Sequence, residues 1–254
     1  MRIVAAIAVA AGISVLASFG ARPADAAEIK LLVSNALKTT MEELTPQFEK
    51  ASGHKLSLTF GAAAEIKTSI EKGAAVDVAI LTAAVTDDLV KEGKLSAAGR
   101  ADIARSGAGV AARKGAPKPD ISTPDAFKRA LVDAKSIAYV EAGATAPYIK
   151  SLFERLGIAE QVKSKLKPQP TSNPAAQAVA NGEAELGITQ ISEILPYAGA
   201  ELVGPLPAEL QLYTVYPAAV AAETKEPDAA RALIKFLTAP AAIAVLKAKG
   251  LSPG

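Results

Sequence analysis

Cysteine is absent from these 254 residues, and histidine occurs once. The lack of cysteine excludes disulfides, thiolate metal sites and lipid attachment through an N-terminal cysteine. The lone histidine, His54, lies in the turn Ser52-Gly53-His54-Lys55 and reads as a solvated loop residue. Its replacement by alanine is expected to leave binding and stability nearly unchanged. No other histidine is present to activate a serine, and no Gly-x-Ser-x-Gly elbow occurs. No His/Cys/carboxylate cluster has metal-ligand spacing. Acidic pairs such as Glu42-Glu43 and Asp87-Asp88 sit at helix starts, where the macrodipole favours them. These absences speak against an enzyme, a metal site and a cofactor.

Charge excludes another class. The formal net charge is only +2, with no basic stripe, so there is no electrostatic case for nucleic acid. One long apolar run stands at the start: Arg2, then Ile3 to Phe19, then Ala24-Asp25-Ala26. A positive region, an apolar core and a small-x-small site make a cleavable signal peptide over residues 1–26. The expected address is the periplasm of a Gram-negative cell. The remaining chain, about 227 residues, can bury one large core or two smaller ones.

Along that chain, strand-length apolar runs alternate with helix-period segments. Ile29–Val33, Lys55–Phe60 and Val76–Leu81 each precede a helix, starting near Leu37, Ala63 and Val85. The rhythm resumes at Ser136–Val140, Lys165–Gln169 and Ala184–Thr189. Strands separated by single helices predict α/β layers around mostly parallel sheets. Thr39 or Thr40, with Glu42 and Glu43 three residues on, has capping-box spacing, and Pro46 should kink that helix or split its first turn. Gly53 should end it in a left-handed conformation. Thr123-Pro124-Asp125 is a further helix start.

Two long apolar segments, Ser106–Arg113 and Leu212–Ala222, break the alternation. They read as crossings between two lobes, residues 28–105 plus 213–254 forming one and 106–212 the other. Within the first, Gly107-Ala108-Gly109-Val110-Ala111-Ala112 fits a dinucleotide-binding pattern, but a Lys/Pro loop follows where a helix should open. Small residues packing a hinge strand account for it better.

The strand-to-helix junctions carry the remaining chemistry. Helix N-termini expose unpaired N–H groups at the positive end of the dipole, an anion site that needs no charged side chain. Four junctions of small residues qualify: Asn35-Ala36, Gly61-Ala62-Ala63, Ala144-Thr145 and Ser172-Asn173.

At these residues the chain resembles a known family. LLVSNALKTTMEELTPQFEKASG, LTFGAAAEIKTSIEKGAAVDVAIL, GEAELGITQ and LYTVYPAAVAAETKEPDAARALIKFLTAPAAIAVLKAKG are similar to molybdate-type periplasmic substrate-binding proteins of ABC importers. The resemblance implies a two-lobed type II periplasmic binding protein fold with a hinge of two crossing segments. It implies a monomer that captures a small anion, molybdate or tungstate, and delivers it to an ABC permease in the inner membrane. The two serines that donate hydroxyls to the oxyanion in that family fall at Ala36 and Ala63, and its tyrosine falls at Gln190. Its backbone donors fall near Thr145 and Ser172. The ligand-binding set that follows is Asn35, Ala36, Ala63, Thr145, Ser172 and Gln190. Because both serines are replaced, a small organic carboxylate is the alternative ligand; Asn35 and Gln190 can donate and accept to either. A secreted enzyme or an adhesion module is the alternative of another class.

Overall fold

In a computed structural model of the protein, residues 26–254 are described; residues 1–25, where the expected signal peptide lies, fall outside them. The first lobe opens with β1 (Glu28–Ser34), buried on both faces from Leu31 onward, as a central parallel strand must be. A single 3-10 turn, Asn35–Leu37, leads into α1 (Lys38–Ser52). Then follow β2 (Lys55–Gly61), α2 (Ala63–Glu71), β3 (Val78–Ile80) and α3 (Ala83–Lys91). β1 pairs in parallel with both β2 and β3. α1 covers one face through Met41, Leu44 and Phe48, in one core with Ile29, Leu31 and Val33.

The next strand is unusually long. β4 (Ala101–Arg113) spans both sheets. α4 (Pro124–Asp133), β5 (Ile137–Val140), α5 (Ala146–Arg155), α6 (Ala159–Val162), β6 (Leu166–Gln169), α7 (Ala175–Ala180), β7 (Leu186–Gln190), α8 (Ile191–Ile194) and β8 (Ala200–Pro205) complete the second lobe. β9 (Tyr213–Val220) returns to the first sheet, followed by α9 (Pro227–Leu237), α10 (Pro240–Ala248) and β10 (Leu251–Pro253). The strands that alternate with helices pair in parallel, β1 with β2 and β3, β5 with β6 and β7. The long apolar strands are antiparallel instead: β9 with β3 and β4, β4 with β7 and β8. A second core, around Phe127, Ile137, Ile149 and Ile188, fills the second lobe.

β4 is where the two sheets meet. Its residues Ala101–Gly107 pair with β9, and Ala108–Ala112 pair with β7. The chain crosses back at Gln211–Tyr213. There the Gln211 amide clamps one residue of β4: its Oε1 accepts from Ala108 N at 3.0 Å and its Nε2 donates to Ala108 O at 3.1 Å. Leu212 O accepts from the same Ala108 N at 2.9 Å.

Several local expectations need correction. Thr39 and Thr40 do not cap α1, because the preceding 3-10 turn starts the helix earlier and leaves both inside it; the N-cap is Leu37, with no side-chain cap. α1 also runs on through Pro46 rather than splitting. His54 is not merely solvated: its Nδ1 accepts from Ala27 N at 3.2 Å, tying the start of β1 to the turn before β2. Gly53 does end α1 at φ 78°, and Thr123 Oγ1 accepts from Ala126 N at 3.1 Å as the α4 cap.

The small residues of β4 have a packing reason. A methyl group on Gly109 would lie 2.8 Å from Ile191 Cγ1 and 3.1 Å from Leu202 Cδ1. Gly109→Ala should therefore destabilise the protein by about 1–3 kcal/mol through overpacking. Urea unfolding monitored by circular dichroism would measure it, and an unchanged midpoint would show that this junction has slack.

Candidate functional site

A cavity of about 490 Å³ opens where strand ends of both lobes hand over to helices. The first lobe contributes Ser34, Asn35, Lys38, Thr39 and Glu42 from β1 through α1, and Ala62 and Ala63 from the start of α2. The second lobe contributes Gly143 and Ala144 before α5, Thr171 and Ser172 before α7, and Gln190, Ser192, Glu193 and Tyr197 around α8. At the mouth the walls touch. Thr171 Oγ1 donates to Glu65 Oε1 at 3.2 Å, while Glu65 Oε2 accepts from Ala62 N at 3.2 Å.

Of the six residues expected to bind ligand, Asn35, Ala63, Ser172 and Gln190 line this cavity. Ala36 and Thr145 do not. Successive residues of a 3-10 turn point about a third of a turn apart, so Asn35 faces the cleft while Ala36, 2% exposed, packs into the first core with Leu37 and Met41. Thr145 is likewise buried, and Gly143-Ala144 forms the wall in its place. No N-cap side chain caps the starts of α1, α2, α5, α7 or α8, although at α2 the Glu65 carboxylate folds back onto Ala62 N. α3, α9 and α10 are also uncapped, so this alone does not mark a ligand site.

The floor of the cleft is a buried polar network that joins the lobes. Gln190, 2% exposed, ends β7 and donates through Nε2 to the hydroxyl of Tyr216, which is wholly buried in β9. Gln190 Oε1 has no hydrogen-bond partner among the described residues. Turning the amide over would let Tyr216 donate to that oxygen and present the NH₂ to a ligand. Ser106 in β4 and Ser192 in α8 share a hydrogen bond of 3.1 Å. Beside them Glu193 Oε2 accepts from Thr189 Oγ1 at 2.5 Å.

Electrostatics set Glu193 apart. It makes no ion pair among the described residues. Although it borders the cleft, its carboxyl sits deep; burial pushes its pKa up, opposed by the Thr189 hydroxyl and the Gln190 N–H. Burial, then the nearby Glu193 charge, also raises Tyr216, against hydrogen bonds to Gln190 and Ser34. Tyr197 is raised for the same two reasons. The cationic counterpart is Lys38, whose Nζ stands 6.0 Å from the Phe60 ring centroid and has no acidic partner among the described residues.

Lys38, Glu42, Ser192 and Glu193 were missed by sequence reasoning. Lys38 and Glu42 stand four apart on one face of α1, and Glu193 stands three after Gln190, the N-cap of α8. Both spacings also describe ordinary helix surfaces and caps, so no sequence signal separated them.

Two lobes, strands ending at a shared cleft and helix N-termini around it define a solute-binding protein. The profile of the bacterial extracellular solute-binding protein family matches residues 29–252, and the chain belongs to that family. Aconitate isomerase from Pseudomonas sp is 33% identical over 230 residues, covering 89% of this chain and 87% of that protein. The molybdate-binding protein of Azotobacter vinelandii is 30% identical over 236 residues, covering 89% and 90%. A solved periplasmic molybdate-binding protein of Azotobacter vinelandii superposes with a TM-score of 0.75 at 20% identity, over 89% of this chain and 99% of that one.

The raised pKa of Glu193 has a consequence for stability. Below its ordinary value near 4.5 the group is protonated in both folded and unfolded chains and costs nothing. As pH rises above that value the unfolded chain releases the proton more readily, so the fold loses stability until the folded pKa is passed. Glu193→Gln should therefore gain thermal stability relative to the parent between pH 4 and pH 8. Melting curves at both pH values would check it; a pH-independent difference would mean the carboxyl ionises freely.

Proposed function

We propose that the protein is a periplasmic binding protein, exported by the signal peptide of residues 1–26, whose cleft captures a small organic polycarboxylate. Residues 28–105 plus 213–254 form one lobe and 106–212 the other, and they close by bending at the paired crossings around Ala108. Hinge closure of this kind suits lobes joined by two strands. The bound ligand is handed, by a monomeric protein, to an ABC permease in the inner membrane.

The observation that carries the ligand class is the cleft itself. A four-oxygen oxyanion displaces only a few waters at about 30 Å³ each, whereas a cavity of about 490 Å³ falls in the range of small organic ligands. Ala63 offers no hydroxyl to a tetrahedral anion at that wall, and Ala36 points away from it. Lys38, Asn35, Ser172 and Gln190 are spread over both walls instead, a layout for several separated carboxylates. The kinship with aconitate isomerase, a protein named for a tricarboxylate, supports the same class. The kinship with a molybdate-binding protein supports the oxyanion, the second reading. The same isomerase kinship, with a carboxyl at the cleft floor, also favours turnover of the bound ligand over capture alone.

Calorimetry with trans-aconitate, citrate, molybdate and sulfate tests the ligand class. The carboxylates should bind and the oxyanions should be weak. Lys38→Met should weaken carboxylate binding about tenfold or more, since a hydrogen bond to a charged group contributes about 1.5–3 kcal/mol. Tight molybdate binding with no carboxylate bound would overturn the proposal.

A further inference from the structure

We infer that the cleft moves a proton within an unsaturated tricarboxylate, and that the Glu193 side chain carries it. The inference rests on the carboxylate reading of the cleft and extends it from capture to conversion. The substrate class has a methylene and a vinyl carbon on either side of a central carbon, each of the three bearing a carboxylate. Glu193 takes a proton from the methylene; the C–H electron pair forms a double bond to the central carbon. The pair of the former double bond moves to the vinyl carbon as a delocalised dienolate. The proton then returns from Glu193 to that carbon. The product has the same constitution, and its geometry depends on the rotamer in which the proton returns. Nothing is oxidised, reduced or consumed, so no cofactor is required.

Placement supports this role. Glu193 faces the cavity from the second lobe, held by the Thr189 hydroxyl at 2.5 Å and by the N–H of Gln190. A base held in this way does not have to be reoriented for transfer. No cation among the described residues pairs with it, and burial favours its protonated form, which makes its carboxylate a stronger base than an exposed one. The dienolate adds negative charge, and the cleft answers with Lys38 and the N-terminus of α5. The Gln190 amide, whose Oε1 has no partner among the described residues, leaves a polar atom on the floor for a further group to meet. One carboxyl can serve both ends of the shift, because the two carbons are separated by a single atom.

The test uses the mature protein with trans-aconitate in D₂O, followed by proton NMR, beside calorimetric binding of the same compound. The parent should interconvert the isomers and wash deuterium into the methylene and vinyl positions. Glu193→Gln should bind within a few-fold of the parent and lose the rate by about 10²–10⁴-fold. Thr189→Val supplies a second readout if that variant folds poorly. Removing a hydroxyl that stabilises the carboxylate should move the acid limb of the rate profile to higher pH. Lys38 and Glu42 from α1, Tyr197 beyond α8 and Tyr216 from β9 face the same space, and all are unchanged in that variant. A parent that binds the carboxylate without exchange overturns the inference and leaves the binding reading standing. Full activity in Glu193→Gln, or an acid limb that Thr189→Val leaves in place, removes Glu193 from the role. A parent that binds molybdate and no carboxylate overturns both the reading and the inference.

Discussion

The arrangement depends on one buried contact, the hydrogen bond between the Gln190 amide and the Tyr216 hydroxyl. Gln190 is the last residue of β7 and Tyr216 stands in the middle of β9, so the bond ties the second lobe to the first beneath the cleft. Neither group has access to bulk water, and each would be costly to leave unpaired. The surrounding groups answer the same constraint. Ser34 approaches the phenol, Ser106 pairs with Ser192, and Thr189 pairs with Glu193. A polar floor under two apolar cores is expensive unless its members satisfy one another, and here Gln190 Oε1 is left over.

That floor lies directly beside the crossing of the chain. β4 carries Ser106 one residue before the end of its first-sheet pairing and Ala108 at the start of its second. The Gln211 amide holds both backbone groups of Ala108, so the two crossing segments are tied together at that residue. Bulk is excluded for the same reason: a Cβ on Gly107 would come within 3.3 Å of Tyr213, and one on Gly109 would meet Ile191. The Glu65–Thr171 bond at the mouth is the opposite case, an exposed contact that water can replace. A deep, satisfied hinge and a shallow, exchangeable contact across the mouth suit a cleft that opens and shuts.

Much of this was legible in the chain. The alternation of strand and helix survived nearly intact, because parallel strands buried on both faces read as unbroken apolar runs and helices as 3.6-residue periods. Gly53 and Thr123 were read correctly because a left-handed residue and an N-cap are local chemistry. The capping of α1 was not, since whether Thr39 lies before or within the helix depends on a 3-10 turn that no residue type announces. β8 and β10 escaped notice for a related reason: neither is an unbroken apolar run, and both owe their strand character to pairing with β4. His54 acquired a partner, Ala27, that lies 27 residues away in the chain.

The sequence by itself determined the class of layers, the positions of the strand-to-helix junctions and the lack of thiolate or multi-histidine chemistry. Each follows from residue type and short-range spacing. Only the tertiary structure decided which residues of a junction face the cleft. One step of a 3-10 turn turns Asn35 to the cleft and Ala36 to the core, and the packing of α1 brings Lys38 to the same space. It also decided the character of Glu193, whose spacing from Gln190 is that of an ordinary cap. Its depth, its distance from any cation and its nearness to Tyr216 exist only once two lobes, joined at β4, close over the same floor.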